Sequence, residues 1–430
     1  MCTTALLVTL ATASAAKPYT HSWDTVGDLM GMHGSYNINT RPSQAAIEFA
    51  AAHYAGSLTI GASCSPTQTY SMEQDILDVA TKVKRANPAA KVGMYWRADF
   101  ALELAECSDF KDEWNAHALE YALKMDNGTA IISRHSSPPT YYIDHMNAAA
   151  KAFFVRAAMN VTRASLPNGA PVIDYIYIDG DPGVHSPFPG VSTARAEAQD
   201  AGYYTTFAML QTAIDAEGRG QQVILNGLDD ADSARSHTAS GCAGSMFDHW
   251  TILQFLNVTD GAFLPAMASA IELASSSSLA NVTLKIKGWP GPIIGQKDKY
   301  PANIPTPTTP AEKQRVAGER FNTELALFLL VASEKDFWVY SWFWSFGDYI
   351  PADVSADPAS TVPAGFYPDA KCALGAPKGP AKKTGAATYE RSFEHASVFV
   401  DLANRTASRV DFVGCTHQLT PRLHRLSLVA

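Results

Sequence analysis

Eight short apolar or β-branched runs, alternating with longer helix-patterned segments, recur along this chain and constrain its fold more than any other feature. That alternation is the mark of a parallel sheet with crossover helices, and eight strands is the number that closes a barrel. The expected strands are Gly27 to His33, Ser57 to Ala62, Lys91 to Arg97, Val172 to Asp179, Gln222 to Leu228, Gly244 to His249, Val282 to Gly288 and Asp336 to Phe343. Helices are expected at Ser43 to His53, Ser71 to Ala86, Asp112 to Lys124, Asn147 to Ala164, Thr193 to Ala216, Thr259 to Ala274 and Pro310 to Ser333. In the second of these, Met72, Ile76, Val79, Ala80 and Val83 recur at the three-to-four spacing of a buried helical face, and Asn87-Pro88 ends it. The predicted fold class is therefore α/β, a (β/α)8 TIM barrel.

Beyond the barrel pattern, Tyr349 to Thr384 is rich in Pro, Gly and Ala and reads as an irregular connector. Thr388 to Phe393, Ser397 to Asp401 and Ser408 to Phe412 then read as short strands, with a turn at Asn404-Arg405-Thr406. The expected organisation is a signal peptide over 1–16, the barrel over 17–350, the connector over 351–384 and a small β-rich appendage over 385–430.

The signal peptide is expected from the apolar run Ala5 to Ala11 followed by Ala13-Ser14-Ala15-Ala16, although the usual positive n-region is missing. Sequons at Asn127, Asn160, Asn257, Asn281 and Asn404 fit the same secretory route, to the extracellular space, a vacuole or lysosome, or the cell wall. Beyond Cys2, the five cysteines lack CxxC or Cys/His spacing, which favours disulfides over zinc. Proximity along the chain pairs Cys64 with Cys107 and Cys372 with Cys415 and leaves Cys242 free. With 47% apolar residues the chain can bury a large core, and a net charge of −9 leaves no basic stripe for nucleic acid. No later run reaches the roughly 18 apolar residues of a membrane span.

In a barrel, chemistry sits at the C-terminal strand ends, so reactive groups there are the candidates. Two strands end in acids. The alternating run from Ile173 to Asp179 stops at Asp179-Gly180-Asp181, which is also ordinary turn chemistry. Gly244 to Phe247 is followed by Asp248, His249 and Trp250, where an aspartate could equally cap a helix. Together they matter more, because glycoside hydrolysis needs two carboxyls flanking one bond. Other strand ends offer Tyr95, Arg97 and Asp99; Asn226 and Asp230; Lys287 and Trp289; and Trp342 with Trp344. Aromatic faces and planar polar groups in this mix suit a hydroxylated ring, although the last two tryptophans are as readily core. His135 and His185 lie in expected rim loops without metal-ligand spacing, so no metal and no cofactor are expected. No GxSxG elbow, Walker loop or dinucleotide glycine motif occurs.

Taken in order, these residues resemble an uncharacterised glycosidase-like group of glycoside hydrolases with (β/α)8 catalytic domains. The likeness rests on Asn87-Pro88 before a strand carrying Tyr95, Asp144-His145-Met146-Asn147 opening a helix, Tyr177-Ile178-Asp179-Gly180-Asp181, Asn226, and Met246 to Trp250. Tyr389-Glu390-Arg391-Ser392-Phe393 is similar to the Tyr-x-Arg-x-Phe opening of the β appendage in that group. The acid between Phe and His is commonly Glu there, whereas here it is Asp248. A second likeness, to alpha-galactosidase-like barrels, implies an Asp nucleophile after the fourth strand and an Asp acid/base after the sixth, the places of Asp179 and Asp248.

The expected function is a secreted glycoside hydrolase acting on an oligo- or polysaccharide. Asp179 would serve as nucleophile or electrostatic stabiliser, and Asp248 as general acid/base with its pKa raised by Trp250 and the neighbouring acid. Tyr95, Arg97, Asp99, Asp181, Asn226, Asp230, His249, Lys287, Trp289 and Trp342 would contact substrate. A non-catalytic carbohydrate-binding or cell-surface barrel is the alternative. A polysaccharide lyase using Arg97, Lys287, His135 and Tyr142 is a third reading.

Overall fold

The structure, a computed structural model, describes residues 19–64, 70–99, 101–133, 140–180, 189–228, 230–248, 263–291, 307–355, 359–404 and 407–415. Eight parallel strands close a barrel: β1 (Met30–Asn37), β2 (Leu58–Ser63), β3 (Val92–Arg97), β4 (Tyr175–Asp179), β5 (Gln222–Leu225), β6 (Gly244–Phe247), β7 (Thr283–Gly288) and β8 (Phe337–Tyr340). Each strand pairs with the next in sequence, and β8 returns to β1 with Met30 opposite Trp338. The chain is thus a (β/α)8 barrel, as the alternation predicts.

The first strand differs from expectation by about one turn of chain. Residues Val26–Leu29 form a 3-10 turn because the Asp28 carboxylate accepts from the Thr25 amide at 2.8 Å and from its hydroxyl at 3.0 Å. The strand therefore starts at Met30 and runs on through Ser35 and Tyr36.

Helices α1 (Gln44–His53), α2 (Met72–Ala86), α3 (Leu102–Glu106), α4 (Lys111–Tyr121), α5 (Ala148–Thr162), α6 (Thr193–Ala216), α7 (Ala231–Ala239), α8 (Phe263–Ala274) and α9 (Pro310–Val331) occupy the crossovers. In α2 the Ser71 hydroxyl caps the Gln74 amide at 3.1 Å, and Ile76, Val79, Ala80 and Val83 form its buried face. Both the cap and the face are legible in the sequence. At the start of α9, Thr309 and Glu312 cap each other's amides, with Pro310 in the first turn. A two-stranded ribbon, Ile132–Ser133 against Thr140–Tyr141, is inserted between β3 and β4.

The outer face of β8 packs on α9. Trp338 and Tyr340 stack with centroids 4.8 Å apart, and Phe321 and Phe328 of α9 meet Trp338. Inside the barrel the filling is unusually polar: Thr59, Tyr175 and Lys285 form one hydrogen-bonded layer. Gly93 makes room for it, because a Cβ there would overlap the Tyr175 ring.

The C-terminal residues form an antiparallel sheet of β9 (Lys382–Lys383), β10 (Thr388–Ser392), β11 (Ala396–Asp401) and β12 (Arg409–Phe412). It begins three residues earlier than the sequence suggests, since Lys382 pairs with Glu390. The sheet docks on α9 through Asn322, whose side-chain amide bonds both the carbonyl and the amide of Val410, at 3.0 and 2.8 Å. Disulfides join Cys64 to Cys107 and Cys372 to Cys415. Cys242 is free and buried, and that burial pushes its thiol up to about 12. No helix among the described residues is long and apolar enough to cross a membrane.

Candidate active site

The barrel register places Arg97, at the end of β3, beside Asp179, the last residue of β4. Asn226 follows directly on β5, where its amide nitrogen donates to Asp179 Oδ1 at 2.7 Å. From the other side the Tyr95 hydroxyl donates to Asp179 Oδ2 at 2.6 Å. Three neighbouring strands thus supply one carboxylate and two donors, and the bonds to both oxygens fix the carboxyl plane. Gly180, at φ 86°, turns the chain away immediately afterwards.

Arg97 does not point a free fork at this carboxylate. Its Nε and Nη2 donate to the two oxygens of Asp99 at 2.7 and 3.0 Å, so the planar face of the guanidinium is already matched by a carboxylate.

Asp248 follows β6 by one residue. Its backbone carbonyl accepts from the indole nitrogen of Trp289 at 2.9 Å. The link between the two acids is Tyr177, on β4 between Tyr175 and Asp179. Burial, and then the negative charges of Asp179 and Asp248, hold its phenol well above the ordinary range. The Tyr177 hydroxyl itself donates to Met246 Sδ, two residues before Asp248, at 3.0 Å.

Below Asp248 stands Lys287 of β7, fully buried. Its ammonium bonds Ser341 Oγ and reaches the Phe343 carbonyl at 3.4 Å and the Tyr349 hydroxyl at 3.5 Å. It also lies 4.5 Å over the Trp289 ring and 4.3 Å over that of Trp344, within cation–π range. Burial draws the amine down to about 7, against the opposing pull of Asp248 and Asp348. One layer deeper, Lys285 is drawn down to about 7 by burial alone.

His33 of β1 is buried between Tyr177 and Trp344, with ring centroids 4.4 and 4.7 Å away. Burial and the two lysines keep it well below its ordinary value, so the ring is neutral, and its Nδ1 has no hydrogen-bond partner.

Of the expected site residues, the structure gathers Tyr95, Asp179 and Asn226 directly, with Arg97 and Asp99 alongside, and places Asp248, Lys287 and Trp289 together. Asp230 caps α7, its carboxylate accepting from the Asp232 and Ser233 amides at 3.0 and 2.8 Å. Trp342 is 1% exposed and turned toward α9, donating to the Lys313 carbonyl at 3.0 Å. Asp181, His249, Trp250, His135 and His185 lie outside the described residues. Sequence reasoning passed over His33, Tyr177, Lys285 and Tyr349. The signal for Lys285 was available, since a lysine two residues before Lys287 on one strand must share its face.

Among the described residues, two cavities bear on the site. One of about 430 Å³, lined by His21, Asp28, His53 and Lys91 among others, lies among residues that precede the barrel strands, the end associated with stability in this fold. The other, of about 680 Å³, lies beside the ends of β1 and β2 and the segment after β8, at the C-terminal end of the barrel strands.

No protein-family model matches the chain, and no curated protein sequence does. Among solved structures the chain is similar to the cyclic alpha-maltosyl-(1→6)-maltose hydrolase of Arthrobacter globiformis, at 9% identity and TM-score 0.45, covering 89% of this chain and 92% of that one. It is similar also to an alpha-amylase of Geobacillus thermoleovorans, at 8% identity and TM-score 0.45, covering 88% and 87%. A sulfoquinovosidase of E. rectale aligns at 11% identity and TM-score 0.45, over 80% of this chain and 47% of that one. These are likenesses of chain path at low identity, and they bear on neither substrate nor mechanism.

Proposed function

We propose that the protein is a secreted glycoside hydrolase that cleaves a glycosidic bond of an oligo- or polysaccharide with Asp179 and Asp248. The observation that carries the proposal is the grip on Asp179: a carboxylate at a barrel strand end with each oxygen held by a neutral donor, Tyr95 or Asn226. A group so fixed cannot swing away from a positive centre forming above it, which is what an oxocarbenium-like transition state requires. Asp179 is the nucleophile or electrostatic stabiliser. Asp248 delivers a proton to the departing oxygen and takes one back from water.

Support for the pairing comes from Tyr177, which stands two residues before Asp179 on β4 while its hydroxyl donates to Met246 Sδ, two residues before Asp248, at 3.0 Å. The aspartate at 248 is one methylene shorter than the glutamate common in the group it resembles, so the neighbouring Lys287 and Trp289 are proposed to set where the carboxyl sits. Tyr95 and Asn226 act as positioning residues through Asp179, and Arg97 with Asp99 forms a rigid wall beside them. The lyase reading loses support, because Arg97 is already paired with Asp99. Secretion is supported by the two disulfides and by the exposure of Asn127, Asn160, Asn281 and Asn404, all sequon asparagines.

The test is release of reducing ends from a polysaccharide panel by the parent protein and by Asp179→Asn. Loss of all turnover in the variant, with folding and sugar binding intact, is expected. Undiminished turnover sinks the assignment.

A further inference from the structure

We infer that the cavity bounded by the ends of β1 and β2 and the segment after β8 is a binding site for neutral hexose units of a glycan chain, remote from the bond that is cut. This rests on the hydrolase reading above and adds to it the substrate class, an uncharged chain rather than a single sugar or a uronate polymer.

The cavity has a volume of about 680 Å³, within the range of small-molecule sites. Its walls combine the aromatic residues Phe343 and Trp344 with the polar residues Ser35, Ser63 and Asn37. Phe343 is 47% exposed at this wall. A flat ring that stays wet beside hydroxyl and amide groups suits a ligand with an apolar face and an edge of hydroxyls, which is the surface of a pyranose.

Both walls are held in place by bonds within the chain. On the β8 side, the Ser35 amide donates to the Trp344 carbonyl at 2.6 Å and Ser35 bridges to Ser345, tying the segment to β1. On the β1 side, the Tyr36 hydroxyl donates to Asp75 at 2.6 Å, and Arg41, which lines the cavity, pairs with the same Asp75. A site built this way loses little freedom on binding.

Charge selects between sugar classes. Arg41 is the cation of the wall, and it meets Asp75 and also Asp78 at 3.6 Å, while Lys82 reaches Asp78 at 2.7 Å. Two cations and two carboxylates cancel, so a uronate gains no net attraction there, and the chain as a whole carries −9.

Position indicates a chain. The cavity lies on the β8–β1–β2 arc, whereas Asp179 and Asp248 lie at the ends of β4 and β6 on the opposite arc of the closed barrel. Trp344 stands between the two, lining the cavity while its ring covers Lys287 and packs on His33. A ligand that reaches both places must extend past Trp344 over more than one sugar ring.

The experiment uses full-length Asp179→Asn protein, with and without Phe343→Ala, on an array of neutral and acidic glycans, followed by calorimetric titration of the strongest binder and its shorter homologues. The expected result is a neutral chain as strongest binder, with affinity rising with length in Asp179→Asn. Phe343→Ala should erase that gain, a loss of about tenfold for the longest chain, while leaving the monosaccharide affinity unchanged. Because Phe343 contributes to the Lys287 network only through its backbone carbonyl, the substitution should leave the melting temperature alone. An acidic glycan as best ligand, no glycan bound at all, or the same length dependence in both proteins overturns the inference. Turnover that survives Asp179→Asn defeats the catalytic reading instead, and the length dependence is still read by binding to the active parent at low temperature.

Discussion

Tyr95 and Asp179, on adjacent barrel strands and 84 positions apart in sequence, are joined by a 2.6 Å hydrogen bond from phenol to carboxylate. If Asp179 meets the developing positive charge, that bond positions it without touching substrate. Tyr95→Phe removes one donor and keeps the ring, so the protein should fold as before. The expected effect is a fall in kcat of about ten- to a hundredfold, the worth of a hydrogen bond to a charged group, with KM little changed. Asn226→Ala should behave alike, and the double variant should fall short of the product of the two, since both hold one carboxyl. A rise in KM with kcat intact would instead place Tyr95 in contact with the sugar.

Lys285 gives the barrel a pH dependence that its sequence position does not advertise. Its folded value is about 7 against an ordinary 10.5, so between those limits the unfolded chain holds a proton that the folded chain lacks. Stability from this site therefore grows as pH rises from about 7 toward 10.5, and below 7 the full penalty of a buried charge is present. Lys285→Met should remove that penalty. Thr59 and Tyr175, left behind, still bond each other at 2.8 Å. At pH 6 the variant is expected to be more stable by ~1–4 kcal/mol, with a flatter rise in melting temperature between pH 6 and 9. Lys287, drawn down in the same way, should leave part of the slope. An unchanged slope in Lys285→Met would falsify the titration.

The barrel was legible because its signals are local: β-branched runs, caps such as Ser71, and the Asn87-Pro88 stop each act within a few residues. Asp179 was legible for the same reason, as an acid at the end of an apolar strand. What could not be read was where a strand end points. Trp342 and Trp344 are two residues apart, yet one bonds α9 and the other covers Lys287, because the chain leaves regular strand geometry after Tyr340. Asp230 looked like a rim acid, and its role as a cap appears only once α7 is known to start there. Lys287 was read as a rim residue of a barrel strand and Lys285 was given no role, because only closure of the barrel shows that this strand is buried along its whole length, lysines included.

Closure also explains Gly93. It sits directly across from Tyr175 in the β3–β4 register, and a methyl group there would collide with the tyrosine ring. Gly93→Ala should destabilise by about 1–3 kcal/mol through overpacking, read as a lower urea midpoint with unchanged slope. Shrinking the opposing ring tests the cause. Gly93→Ala with Tyr175→Leu should recover part of the loss relative to Tyr175→Leu alone, whereas simple additivity would point to the backbone and not the ring.

Arg391, the centre of the Tyr389-x-Arg391-x-Phe393 pattern, binds the appendage to the barrel. Tyr389 and Phe393 are buried, while the Arg391 Nη1 donates to the carbonyls of Leu329, Leu330 and Ala332 at 2.8, 3.3 and 2.7 Å. Those are orphan acceptors at the C-terminus of α9, where a cation is also favoured by the helix dipole. Burial lowers the guanidinium to about 10, still far above neutrality, so it stays charged at working pH. Arg391→Leu leaves the acceptors without this donor and should cost on the order of 3 kcal/mol. Arg391→Lys should recover only part of that, because one ammonium cannot reach these carbonyls and also replace the bond from Arg391 Nε to the Gly379 carbonyl at 3.1 Å. The expected readout is faster hydrogen exchange in β10–β12 and the last turn of α9, with the Asp179 cluster protected as in the parent. Uniform exchange across the barrel would mean that sheet and barrel unfold as one unit, and that Arg391 stabilises the whole chain instead of a junction.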